Sequence, residues 1–157
     1  MNKIIAIIML VLPMTLAANP MYFLLGEKQV NVEFDYSSTI VENLDNRDFQ
    51  ELQLAVGTEW ERLFLHELNA EVEDLEVKFG DYPESVYTVL CIILSVSLNG
   101  TTKMDVRFIN TETLEERAKL IVYGRGGVFG SFANLFGDGM SRCGERLGEI
   151  IEDKLEL

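Results

Sequence analysis

A chain of 157 residues has room for one ordinary domain with a packed core. Acidic residues outnumber basic ones, 26 to 13, for a formal charge of −13. That balance excludes a nucleic-acid partner, whose phosphates need clustered Lys and Arg, and argues against adhesion to an anionic membrane surface. Two cysteines and one histidine are too few for a four-ligand zinc site, and no cofactor is expected.

The chain begins Met1-Asn2-Lys3, runs apolar through residues 4–16 and reaches Ala17-Ala18. A positive start, an apolar centre and small residues at the end describe a secretory signal peptide, residues 1–17, with Thr15-Leu16-Ala17 as the cleavage site. The run is shorter than the roughly 20 apolar residues that span a bilayer. We therefore expect cleavage, and residues 18–157 as a single exported domain, periplasmic or extracellular. The mature chain would carry no transmembrane segment, and no cysteine stands at the cut to take a lipid.

Met21-Tyr22-Phe23-Leu24-Leu25 is apolar and bounded by Pro20 and Gly26. Its exposed residues would form a partner-binding patch. Val30, Val32, Phe34 and Tyr36 alternate with Asn31, Glu33 and Asp35, the pattern of a half-buried strand. Residues 37–47 are a polar connector in which Ile40, Val41 and Leu44 touch the core. Asp48 opens a helix with capping-box spacing to Glu51. Phe49, Leu52, Val56, Trp60, Leu63, Phe64 and Leu68 give it one apolar face for about five turns. The helix is expected to end near residues 69–72, with Gly57 a weak point inside it. Leu75, Val77 and Phe79 read as a short strand, and Gly80-Asp81-Tyr82-Pro83 as a turn.

Residues 86–123 read as a three-stranded meander. Asn99-Gly100 is a hairpin signal, expected as a type I′ turn, and Asn110-Thr111-Glu112-Thr113 is a second turn. In the first meander strand Leu94, Val96 and Leu98 alternate with Ser95, Ser97 and Asn99. That parity places Cys91 on the face away from the helices and so away from Cys143, unless a bulge reverses it in the doubly apolar half, residues 86–93. Phe129, Phe132, Phe136, Met140, Cys143, Leu147, Ile150 and Ile151 then recur at helical spacing. They make one long amphipathic helix or two helices broken at Gly137-Asp138-Gly139. Gly144 and Gly148, one turn apart, would let a neighbour sit close. The sum is an α+β two-layer sandwich, a mostly antiparallel sheet carrying the meander with two helices on one face.

Gly124, Arg125, Gly126, Gly127 and Ser131 stand between a strand and a helix, where free helical N–H groups take anions. Arg125 would be the natural ligand. The stretch lacks the endings of a P-loop or a dinucleotide site, and a plain turn explains it as well. His66 has no nucleophile or elbow near it in sequence. Glu71, Glu73, Asp74 and Glu76 lack the spacing of a calcium loop. No catalytic set emerges, so a binding protein is expected rather than an enzyme.

The Val-Asn-Val-Glu-Phe-Asp-Tyr-Ser strand at 30–37, the Trp-Glu-Arg-Leu-Phe helix at 60–64 and the lead into a long strand at 82–89 resemble small exported Bacteroidetes-type proteins of unknown function. The later half is similar in topology to envelope domains such as the amino-terminal domain of the Tol-system periplasmic protein and the curli secretion channel subunit. The resemblance implies a helix-on-sheet fold and an envelope location, and it carries over no catalytic residue. The chain lacks the lipobox cysteine of many envelope relatives.

Two functions follow. One is an exported domain that binds an envelope or extracellular protein. The other is a small-ligand or anion binder, or an enzyme, with its site near residues 124–131. Self-association through a sheet edge is a further expectation. Residues 86–93 are apolar on both faces, so either the 21–25 segment or a partner should cover the second one.

Overall fold

The valine, isoleucine and aromatic residues of the expected meander form β4 (Tyr87–Val96), β5 (Thr102–Asn110) and β6 (Glu116–Gly124), paired antiparallel in sequence order. This is seen in a computed structural model that describes residues 21–80 and 82–155. The expected signal peptide lies outside the described residues.

Before the meander come a 3-10 turn at Tyr22–Leu24, β1 (Gln29–Asp35), β2 (Ile40–Val41), α1 (Asn46–Val56), α2 (Glu59–Glu71) and β3 (Glu76–Phe79). After it comes α3 (Phe132–Leu155). The sheet runs β3-β1-β4-β5-β6, with β2 also paired to β4. β1 lies parallel to β3 and β4, because α1 and α2 carry the chain back to its starting end before β3. Antiparallel residue pairs outnumber parallel ones. The result is an α+β sandwich of one sheet and one helical layer.

Side-chain alternation separates the two faces. Val30 and Val32 of β1, Val89, Cys91 and Ile93 of β4, Met104, Val106 and Phe108 of β5, and Val122 of β6 are buried. The helices pack on this face. Trp60 of α2 and Phe136 of α3 meet with ring centroids 4.3 Å apart. The Trp60 indole N–H donates to the Ala133 carbonyl at 2.9 Å, which fixes α2 against the first turn of α3.

The first helix, its cap, the 99–100 turn and the face of Cys91 differ from the sequence expectations. The first helix is two helices. Gly57 adopts φ 65°, ψ −125° and ends α1, a conformation open mainly to glycine. The N-cap is Asp45, whose carboxylate accepts the Asp48 N–H at 2.8 Å. The 99–100 hairpin forms, but positive φ occurs at Gly100 and not at Asn99. Ser97 accepts from the Gly100 N–H and donates to Thr101, as in a type I turn followed by a left-handed residue.

Cys91 faces the helices, not the opposite side. The β4–β5 register slips between Ile93 and Ser95, so Val96 rejoins the inner face and the parity read from 94–98 does not hold upstream. Thr39 serves this bulge, its hydroxyl donating to the Ile93 carbonyl at 2.8 Å. Both thiols are buried and free. Of the two forms expected for the last helix, the unbroken one is present: α3 runs through Gly137-Asp138-Gly139, and Phe129 lies outside it. Gly144 lets the α2 backbone sit against α3: a Cβ there would fall 2.1 Å from the Phe64 carbonyl oxygen.

Candidate functional site

Three places bear on function: the glycine exit after β6, the 21–25 segment and the sheet face opposite the helices.

At the exit, Arg125, Gly126 and Gly127 border a solvent-open hollow of about 690 Å³ with Glu67, Asp138, Arg142 and Glu145. Gly124 lies under α3, and a Cβ there would strike the Gly139 carbonyl oxygen. The Gly126 N–H is already donated to the Thr101 hydroxyl at 3.1 Å. Asp138 stands over Gly127, its Oδ2 2.2 Å from where a Cβ would be. Ser131 does not line the hollow; its hydroxyl accepts the Asn134 N–H at 3.3 Å at the start of α3. Arg142 reaches Glu145 at 3.8 Å, while Arg125 is exposed and forms no ion pair among the described residues. Three carboxylates and two guanidiniums therefore share one polar concavity. Val128 and Phe129, on the loop beside it, are 76% and 89% exposed.

The 21–25 segment plugs one end of the core. Met21 and Leu24 are buried. Phe23 packs edge-on against Tyr87 and Phe108, with centroids 4.9 and 5.7 Å away. Those two residues belong to the inner face, so the segment does not cover the outer one. Tyr22 and Leu25 remain exposed.

Among the described residues, nothing thus covers the middle of the outer face. Register defines its rows. Glu33, Leu90, Arg107 and Lys119 lie side by side across β1, β4, β5 and β6, and Asp35, Ile92, Asp105 and Ile121 form the next row. Leu90, Ile92, Leu94 and Ile109 are half-buried by their neighbours alone. Ile121 is 41% and Tyr123 61% exposed.

Asp105 is almost fully buried in this face. Its Oδ2 accepts from Arg107 Nε at 3.2 Å and Nη2 at 2.9 Å, and Lys119 Nζ stands 3.6 Å away. Its Oδ1 is buried without a hydrogen-bond partner. The Asp105 hydrogen bond pushes the Arg107 pKa further up. Lys103 lies over the Tyr123 ring at 5.8 Å. On the other side, hydrogen bonds from Ser37 hold the Asp35 carboxyl below its usual range, and Glu33 is exposed. The face therefore has an acidic β1 side, an apolar β4 centre and a basic β5–β6 side, within an acidic protein.

Sequence reasoning found the double-faced strand and missed this cluster. The signal was present: Lys103, Asp105 and Arg107 alternate with Met104, Val106 and Phe108. Only the register shows that Glu33 and Lys119 share a row with Arg107.

No known family pattern matches the chain, and no curated protein does. Among solved structures, PelC from Paraburkholderia phytofirmans, solved as a dodecamer, superposes with a TM-score of 0.41 at 12% identity. The match covers 75% of this chain and 86% of PelC. Protein XCC0632 from Xanthomonas campestris superposes with a TM-score of 0.41 at 9% identity, over 81% of this chain and 84% of that one.

Proposed function

We propose that this chain is an exported binding module whose working surface is the uncovered sheet face, and that its partner is a protein of the envelope or the extracellular space. The observation that carries this reading is the half-buried apolar centre of that face, Leu90, Ile92 and Leu94, with no helix over it among the described residues. Such a surface gains from burial, at about 25 cal/mol per Å² of apolar area. The ordered charges on either side would set the orientation of whatever binds. Export rests on residues 1–17, as argued from the sequence.

The test is site-specific photocrosslinking in the exporting cell. A photoreactive residue at Ile92 should give a discrete protein adduct, and one at Leu54, 84% exposed on α1, should not. Equal labelling from both positions, or none, would overturn the reading.

A second reading places a small polar ligand in the hollow at Arg125, Gly126 and Gly127, with Gly124 and Ser131 as its supports. The concavity itself is what favours it. Inorganic phosphate titrated against the protein and its Arg125→Ala variant tests it: an Arg125-dependent amide shift at Gly126 and Gly127 is expected, and identical titrations would exclude an anion there.

A further inference from the structure

Resting on the sheet-face reading, we infer that the occupant of the outer face is a second copy of this chain, related by a two-fold axis that runs along β4 between two stacked sheets. Such an axis sets β4 over β4. It carries β1 of each copy over β5 of the other, and it keeps level along the strands. Glu33 shares a row with Leu90, Arg107 and Lys119. It therefore comes over the second copy's Arg107, beside its Lys119, twice by symmetry. The apolar centre, Leu90, Ile92 and Leu94, meets itself.

The other two-fold in the plane of the interface, across the strands, would stack β1 on β1. That sets Glu33 and Asp35 against their own copies, so charge selects the axis along β4. Lys78, further out on β3, does not alter the pattern, because Glu76 holds it at 3.2 Å and it lies over the Tyr82 ring. On the basic side, Asp105 takes Arg107 at 2.9 Å and Lys119 at 3.6 Å, and Glu116 approaches Arg107 at 3.8 Å, while Lys103 lies over the Tyr123 ring; three cations meet two carboxylates. A basic excess still faces the acids of β1.

The area suffices. Strands of nine or ten residues, β4 to β6, with the seven of β1, give roughly 550 Å² in projection at the usual strand spacing and rise. Side-chain relief brings the accessible area toward the roughly 800 Å² that each partner buries in a stable complex. Face-to-face sheets stack about 10 Å apart, within reach of Glu33 and Arg107 side chains. The apolar stripe supplies the affinity and the charges fix the register.

The experiment has two arms. In the cell, the crosslink from Ile92 should give an adduct of twice the chain mass. An adduct with a different protein overturns this inference while leaving the sheet-face reading standing, and no adduct overturns both. With purified protein, light scattering should give a dimer at tens of micromolar. Glu33→Lys, at an exposed position, and Lys119→Glu should each weaken it on the order of tenfold. An equimolar mixture of the two should restore it, because each lysine then meets a glutamate. Circular dichroism checks the fold of Lys119→Glu, which lies 3.6 Å from Asp105; should it not fold, Glu33→Lys alone decides. A monomeric wild type, a dimer indifferent to Glu33→Lys (as one paired through the β6 edge would be), or a mixture no tighter than its components would overturn the inference.

Discussion

Gly57 and Gly144 are glycines for different reasons, and substitution separates them. Nothing lies within 4 Å of a Cβ at Gly57, but its φ is positive. Alanine there costs only backbone strain, about 1–2 kcal/mol. At Gly144 the added methyl meets the α2 backbone. The helices must part, and alanine should cost about 3 kcal/mol, at the upper end of overpacking penalties. Urea denaturation of the two variants gives the comparison. The buried thiols make a second prediction at this scale. Burial pushes Cys143 from 9.0 up to about 12, and burial, with Cys143 nearby, pushes Cys91 well up. The folded state thus keeps both thiols neutral after the unfolded state has begun to ionise. Their contribution is complete below pH 9 and is lost as pH rises toward 12, by up to about 1.4 kcal/mol per pH unit for each thiol. Denaturation from pH 8 upward should show this loss, with a shallower slope in Cys143→Ala.

At the scale of the element, the bulge in β4 decides which side chains face the helices. Upstream of it Cys91 and Ile93 are inside, and downstream Val96 is. An extra residue leaves the ladder locally incomplete, and the Thr39 hydroxyl takes up the Ile93 carbonyl. Thr39→Val keeps the shape and removes the donor, so a buried carbonyl loses its partner, at about 1–3 kcal/mol. Faster amide exchange at Leu94 and Ser95, together with a lower denaturation midpoint, would mark the loss. Unchanged exchange there would show that the bulge holds itself. Across the Gly57 break, Phe49 of α1 stacks on Trp60 of α2 with centroids 6.1 Å apart and meets Phe136 of α3 at 6.2 Å, so the helical layer stays one body despite its interruption.

For the whole molecule, charge acts in two directions. A net charge of −13 repels itself in the compact state. Raising salt from about 10 mM to about 150 mM shortens the screening length from about 30 to 8 Å and should raise the melting temperature of a charge-disrupted monomer such as Glu33→Lys. The same salt should weaken association of the wild type through the outer face, since its orientation depends on opposite charges. Thermal melts and light scattering over one salt series measure both. Melting that falls with salt in the monomer would place the dominant electrostatics in local ion pairs such as Asp105 with Arg107 and Lys119 instead.

The sequence by itself determined the element types, the meander and the two-layer class. Alternation and helical spacing are local patterns, and burial on one side enforces them. It showed that residues 86–93 are apolar on both faces, and it located the glycine exit. The tertiary structure alone decided that the first helix breaks at Gly57, since a glycine in a helical pattern does not declare its φ. It alone placed Cys91 inside, because one bulge reverses every side chain on one side of it. It brought Glu33, Leu90, Arg107 and Lys119 into one row, because register joins residues far apart in the chain and no local pattern records it. It also sent Phe23 to the inner face against Tyr87 and Phe108, so that among the described residues nothing covers the outer face of β4.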